Sequence, residues 1–188
     1  MMAGGNIVYD FDCRNQVIAN GGIGAIHQLA VRSGLIDEIN TRIDLLKRHL
    51  PYHESDHILN IAYSYLAGGS CLHDIELLRN DTAWLNALGA EIIPDPTTAG
   101  DFLRRFNKDD ICEFMDVKNT VRSNIWAKQS EAFRREATIK VDGTISATFG
   151  ECKQGMNLSY NGRWGCHPLI ISLHNTREPL FIVNRPGH

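Results

Sequence analysis

The chain contains no stretch of eighteen or more apolar residues, so nothing in it reads as a membrane-spanning helix. Its opening residues, MMAGGNIVYDFD, have neither the basic flank nor the apolar block of a secretory signal, and the expected compartment is the cytoplasm. Cysteine is scarce: the five present, Cys13, Cys71, Cys112, Cys152 and Cys166, form no C-x-x-C pair and are odd in number. That argues against a disulfide framework and suits a reducing environment. Internal repeats and low-complexity tracts are also missing. Basic charge is not in excess, since the net charge is −3, which counts against a uniformly basic nucleic-acid binder. The distribution is uneven. Residues 1–100 hold six Lys/Arg against twelve Asp/Glu, and residues 101–188 hold thirteen against ten, so any phosphate-binding surface is expected in the second half.

What is present is an ordinary globular composition, 188 residues at 43% hydrophobic, enough for one good core or two small ones. The front two-thirds reads as helical. Ile18 to Ser33 predicts a helix closed by Gly34, and LIDEINTRIDLLKRHL predicts a second, with Leu35, Ile39, Ile43 and Leu46 on one face and Pro51 as its stop. A third follows with Ser55 as N-cap and Gly68-Gly69 at its end, a fourth is capped by Ser70, and a fifth runs from Asp81 to Gly89. Thr98 and Asp101 have the spacing of a capping box for AGDFLRRFN, and one long helix is expected from about Asp109 to Arg135. At Thr138 the period changes to extended, with a hairpin signal at Asn161-Gly162 and apolar runs at Leu169–Leu173 and Leu180–Val183 that read as an antiparallel meander.

Several motifs carry candidate chemistry. HESDH, His53 to His57, has the H-E-x-x-H form of a zinc peptidase, with Glu76 as a third ligand, but it falls at a helix start with polar residues at both x positions. It reads as a solvated helix start, with the peptidase as the alternative. ANGGIGAI lacks the third glycine of a dinucleotide loop, where His27 stands. Cys152, Cys166, His167 and His174 match no zinc-module spacing. Arg104, Arg105 and Lys108 follow a Pro-rich turn, and Lys118 and Arg122 lie one turn apart on the next helix. Such a cluster is either a solvated face or, in a helix-turn-helix setting, a reader of double-stranded DNA. Asp142 interrupts an otherwise β-branched strand, TIKVDGTISATFG, and Gly143 after it allows close approach of another group.

The segment VDGTISATFGECKQGMNLSYNGRWGCHPLIISLHNTREPLFIVNRPG resembles the DDE transposases of bacterial insertion sequences, in the thirteen-eighty group of the four-like clan. Asp142, Gly150, Gly155, CHPL at Cys166 to Leu169 and VNR at Val183 to Arg185 occupy the places of that group's motifs. Upstream, GGIGAIHQLAVRSGL, YSYLAGGSCLHDIELLRND and PTTAGDFLRRF look like its helical region. The resemblance implies an α+β chain: a helical DNA-binding and assembly region over residues 1–136, then the first antiparallel strands of an incomplete ribonuclease-H-like domain over 137–188. It also implies DNA cleavage and joining at element ends by two Mg²⁺ ions held by three carboxylates, in a homo-oligomeric synaptic complex. Asp142 would be the first carboxylate. The only acidic residues after it are Glu151 and Glu178, neither suitably placed, so the other two are expected beyond residue 188 and the chain is expected to be an inactive, poorly soluble fragment. The alternative from another class is a non-catalytic fragment that occupies element ends and blocks the parent.

Overall fold

The computed structural model describes residues 19–150 and 155–185. The chain divides into two units, Met1–Asn107 and Lys108–His188. Among the described residues the first unit is helical: α1 (Ile23–Arg32), α2 (Leu35–Arg42), α3 (Glu54–Leu66), a 3₁₀ turn at Leu72–Asp74, α4 (Ile75–Arg79), α5 (Thr82–Leu88) and α6 (Pro96–Leu103). Its core gathers one or two side chains from each of several helices, among them Ile23, Tyr63, Ile75, Trp84 and Ala99.

Gly34, at φ +77°, breaks α1 from α2 as expected. The second helix, however, ends at Arg42 instead of running on toward Pro51, and Ile43 is already extended. The reason lies in Glu54. Its side chain is wholly buried, and its Oε1 accepts the N–H groups of Leu45 and Leu46 at 3.1 and 3.0 Å. Those amides satisfy a buried carboxylate in place of continuing a helix. The start of α3 is therefore solvated on one side only, with His53 and Asp56 exposed and Glu54 and Ser55 buried. His53, not Ser55, is its N-cap, with its N–H donated to Asp56 Oδ2 at 2.8 Å. Ser55 is buried in the first turn and donates its N–H to Asn40 Oδ1 at 3.0 Å.

The segment expected to be capped by Ser70 opens instead on the 3₁₀ turn with Cys71 as its N-cap. Asp74 accepts the N–H groups of Ser70 and Cys71. Asp81 accepts those of Ala83 and Trp84, and Gly89 closes α5 at φ +66°, as the sequence predicts. For α6 the cap is Asp95, with Pro96 in the first turn. Thr98 donates its hydroxyl back to Asp95 at 2.6 Å, and Asp101 pairs with Arg104, so the expected capping box does not form.

In the second unit α7 (Lys108–Ala127) stops eight residues short of the expected Arg135. The Lys128 and Gln129 amides bond only three residues back, to Ile125 and Trp126, and Ser130 then caps a separate short α8 (Glu131–Arg134). Met115, Val117 and Val121 form the buried stripe of α7, while Ile111 and Ile125 are exposed. Six strands follow among the described residues: β1 (Ile139–Gly143), β2 (Ser146–Ala147), β3 (Asn157–Leu158), β4 (Trp164–Cys166), β5 (Leu169–Leu173) and β6 (Glu178–Val183). They form two three-stranded antiparallel sheets, β1-β5-β6 and β2-β4-β3, rather than one meander, because β1 crosses over to pair with β5. The Asn161-Gly162 turn joins β3 to β4 with Gly162 at φ +76°. The architecture is α+β, and among the described residues no helix is long and apolar enough to cross a membrane.

His57 is buried, stacked on Phe102 with ring centroids 4.5 Å apart. Burial chiefly pushes its pKa below the ordinary 6.5, against the pull of Asp56, with Arg105 lowering it further and Glu54 opposing. A depressed folded pKa means that the unfolded chain protonates first. The stability contributed by neutral His57 is full above about pH 6.5 and is lost as pH falls through the folded value. His57→Phe keeps a ring on Phe102. Its urea midpoint is expected to fall less than that of the parent between about pH 7 and pH 5, and equal falls would assign the acid sensitivity to other groups.

Candidate active site

Asp142 lies on β1 opposite Ile170, so the ladder to β5 holds its backbone while its side chain is exposed. One carboxylate oxygen accepts the Gly143 N–H at 2.8 Å. Beyond the last ladder pair, Gly143 with Leu169, the Thr144 N–H donates to the Pro168 carbonyl at 3.1 Å and the His167 N–H to the Arg185 carbonyl at 2.8 Å. The Asp-Gly, Cys-His-Pro-Leu and Val-Asn-Arg motifs are thereby drawn to one end of the sheet.

Gly143 is where they meet. A β-carbon there would stand 2.5 Å from His167 Nε2, 3.0 Å from His167 Cε1 and 3.3 Å from Arg185 Nη2. A larger residue there would have to displace the ends of two side chains, an imidazole and a guanidinium. These two groups, suited to phosphate oxygens, stand on the face of β1 toward which a Gly143 side chain would point, whereas strand alternation turns the neighbouring Asp142 carboxylate to the other face. The sequence carried the signal for this convergence in the His and Arg of the two motifs, but not the contact itself.

One carboxylate does not make a Mg²⁺ site, because the ion keeps its waters unless several oxygen ligands are supplied together. Among the described residues Asp142 belongs to no group of three potential metal ligands. Glu178 opens β6 and faces Arg122, with Nε 3.0 Å from Oε2, and Glu151 lies outside the described residues. The residues present do not by themselves fit a two-ion centre. Among the described residues Cys166, His167 and His174 belong to no group of three potential ligands, while Cys152 lies outside the described residues.

The two HESDH histidines have different surroundings. His57 is occupied against Phe102, and the group of three potential ligands that includes His53 is completed by His49 and Glu54.

The basic residues are placed unequally. Arg104 and Arg105 follow α6 instead of lying on it. Arg104 pairs with Asp101 on the surface, and Arg105 donates to the Leu45 carbonyl at 3.1 Å while remaining exposed. Lys108 is exposed at the start of α7. Lys118 is half-buried with its ammonium 5.1 Å from the Phe114 ring centroid, and burial, then the Arg122 charge, lowers its pKa. Arg122 is the most committed: besides Glu178 it donates to the Pro179 carbonyl at 2.8 Å and to Asn119 Oδ1, and it lies over the Trp126 ring. Its role visible here is to fasten α7 to β6.

A family model for transposase DDE domain group 1 matches residues 2–188. The chain belongs to that family. Comparison with curated proteins and with solved structures found no match. In this transposase domain backbone bonds bring the three motifs to one end of the sheet, with His167 and Arg185 closing on Gly143.

Gly143→Ala is expected to cost the transposase chain no more than about 1 kcal/mol, because the atoms the methyl would meet are the ends of the His167 and Arg185 side chains, which can swing aside. Adding His167→Ala should recover part of the loss, since it removes the ring that the new methyl meets. Denaturant titration of the single and double variants measures both, and a loss well above that in the single variant would mean that the ring is held in place.

Proposed function

We propose that this chain is the end-binding and first-carboxylate portion of an insertion-sequence transposase of the thirteen-eighty group, built on a ribonuclease-H-like sheet. The observation that carries the reading is the family match over residues 2–188, and it is supported by the backbone bonds that bring the Asp-Gly, Cys-His-Pro-Leu and Val-Asn-Arg motifs to one end of the β1-β5-β6 sheet. Asp142 is the residue assigned to hold divalent metal in the complete enzyme. The helical region over residues 1–136 is assigned to binding double-stranded DNA at element ends, and a homo-oligomer to synapsis.

Because Asp142 has no companion carboxylates among the described residues, the purified 188-residue chain is expected neither to nick nor to join DNA with Mg²⁺. Supercoiled plasmid carrying element ends is the substrate for that assay. Nicking abolished by Asp142→Asn would show that the chain holds a working centre; nicking that survives the substitution would remove Asp142 from the catalytic assignment.

The same isolation of Asp142 favours a second reading, in which the chain occupies element ends without cutting them and competes with an intact transposase. Adding it in excess to an active parent distinguishes the two, since a competitor lowers cleavage.

For DNA binding the exposed Arg104, Arg105 and Lys108 are the assigned residues, with Lys118 in a lesser role and Arg122 holding the fold. Replacing the first three by alanine is expected to weaken duplex binding and to flatten the plot of log K against log salt by about 0.9 for each phosphate left unneutralised. Arg122→Ala is expected instead to lower unfolding stability. An unchanged slope in the triple variant would move the DNA-binding surface elsewhere.

A further inference from the structure

The Glu54 carboxylate presents its two oxygens differently. Oε1 is held by the Leu45 and Leu46 amides, which fix the direction of the group. Oε2 is buried and makes no hydrogen bond of good geometry, and His49 Nδ1 lies 3.2 Å from it. His49 and His53 stack with ring centroids 5.5 Å apart and planes 20° from parallel. One ligand atom from each of His49, His53 and Glu54 lies within 4.8 Å of the others, with both histidines exposed on the solvent side.

We propose that His49, His53 and Glu54 form a binding site for a divalent transition metal, of which Zn²⁺ is the representative ion. Two imidazoles and one carboxylate are a borderline-soft donor set that suits zinc and its neighbours and is a poor match for Mg²⁺. Ligand atoms about 3.3 Å apart are required around a tetrahedral ion with bonds of about 2.05 Å. The exposed histidines can close that distance by side-chain rotation, while the carboxylate stays where the two amides hold it. Solvent completes the fourth position. The backbone donors to Oε1 act as the outer shell that orients a ligating carboxylate. The ion would clasp the 43–50 loop to the first turn of α3, a structural role distinct from the chemistry at Asp142. The H-E-x-x-H pattern thus contributes its first histidine and its glutamate but not its second histidine, which is stacked on Phe102.

The rival reading is a plain His49–Glu54 ion pair with no metal. The test uses the untagged full chain, stripped with chelator and dialysed against Zn²⁺. One ion per chain is expected, with a melting temperature raised by about 5 °C or more at saturating Zn²⁺. His53→Ala should lose the ion and the shift, as should His49→Ala, while His73→Ala, at an exposed histidine outside the site, should keep both. Both ligand variants change exposed side chains and are expected to fold. His53→Ala also separates the readings without added metal, because it leaves the His49–Glu54 pair intact. Substoichiometric zinc in the parent chain, or undiminished zinc in both ligand variants, would overturn the site.

Discussion

A carboxylate shut off from water must take its donors from the chain itself, and the helical unit is arranged around that requirement at Glu54. Two consecutive amides are turned away from helical bonding to reach Oε1, which ends α2 at Arg42 and leaves the following loop folded back on α3. The same demand moves the helix start to His53 and buries Ser55, whose amide then needs Asn40. Arg105 adds a further tie by donating to the carbonyl of Leu45, one of the two residues whose amides serve Glu54. A loop that would otherwise carry loose polar backbone is held from both its N–H and its C=O side.

Local signals in the sequence were readable where a short stretch settles the matter. Asp81 with Gly89 frames α5, Gly34 separates α1 from α2, and Asn161-Gly162 turns the β3–β4 hairpin, because each needs only a cap or a residue able to adopt positive φ. Apolar periodicity misled where long-range partners decide. Ile43 and Leu46 continue the stripe of α2, yet a carboxylate eight residues after Leu46 withdraws the amide that a longer helix would use. The period of α7 likewise runs past Ala127, but tight three-residue bonds and a serine cap interrupt it.

The candidate site was legible as motifs and not as spatial neighbours. Asp142, His167 and Arg185 stood in recognisable places, and Gly143 advertised a close approach, but which group approaches depends on β1 pairing with β5 across more than twenty residues of chain. Charge was the least legible property. Arg122 and Lys118 look alike in sequence, yet one guanidinium is fully engaged with Glu178, Pro179 and Asn119 while the ammonium rests over Phe114. A count of basic residues treats them as equal, whereas a planar fork of donors can tie together two elements that a point charge cannot.

The register of β6 has a consequence for the sheet's later history. Between Ile171 and Ser172 the pairing slips by one, so that Leu180 is an extra residue and Pro179 meets Ser172. A proline has no ladder donor to offer, its carbonyl is taken by Arg122, and the Ile182 amide is turned to the Met115 sulfur at 3.4 Å. That margin is closed to newcomers. Across the sheet β1 pairs with β5 alone among the described residues, with Ile139 and Val141 exposed. Accretion is consequently one-sided: an incoming strand, whichever chain it belongs to, must lie against the strand that bears Asp142 and would bring its own side chains up to that carboxylate.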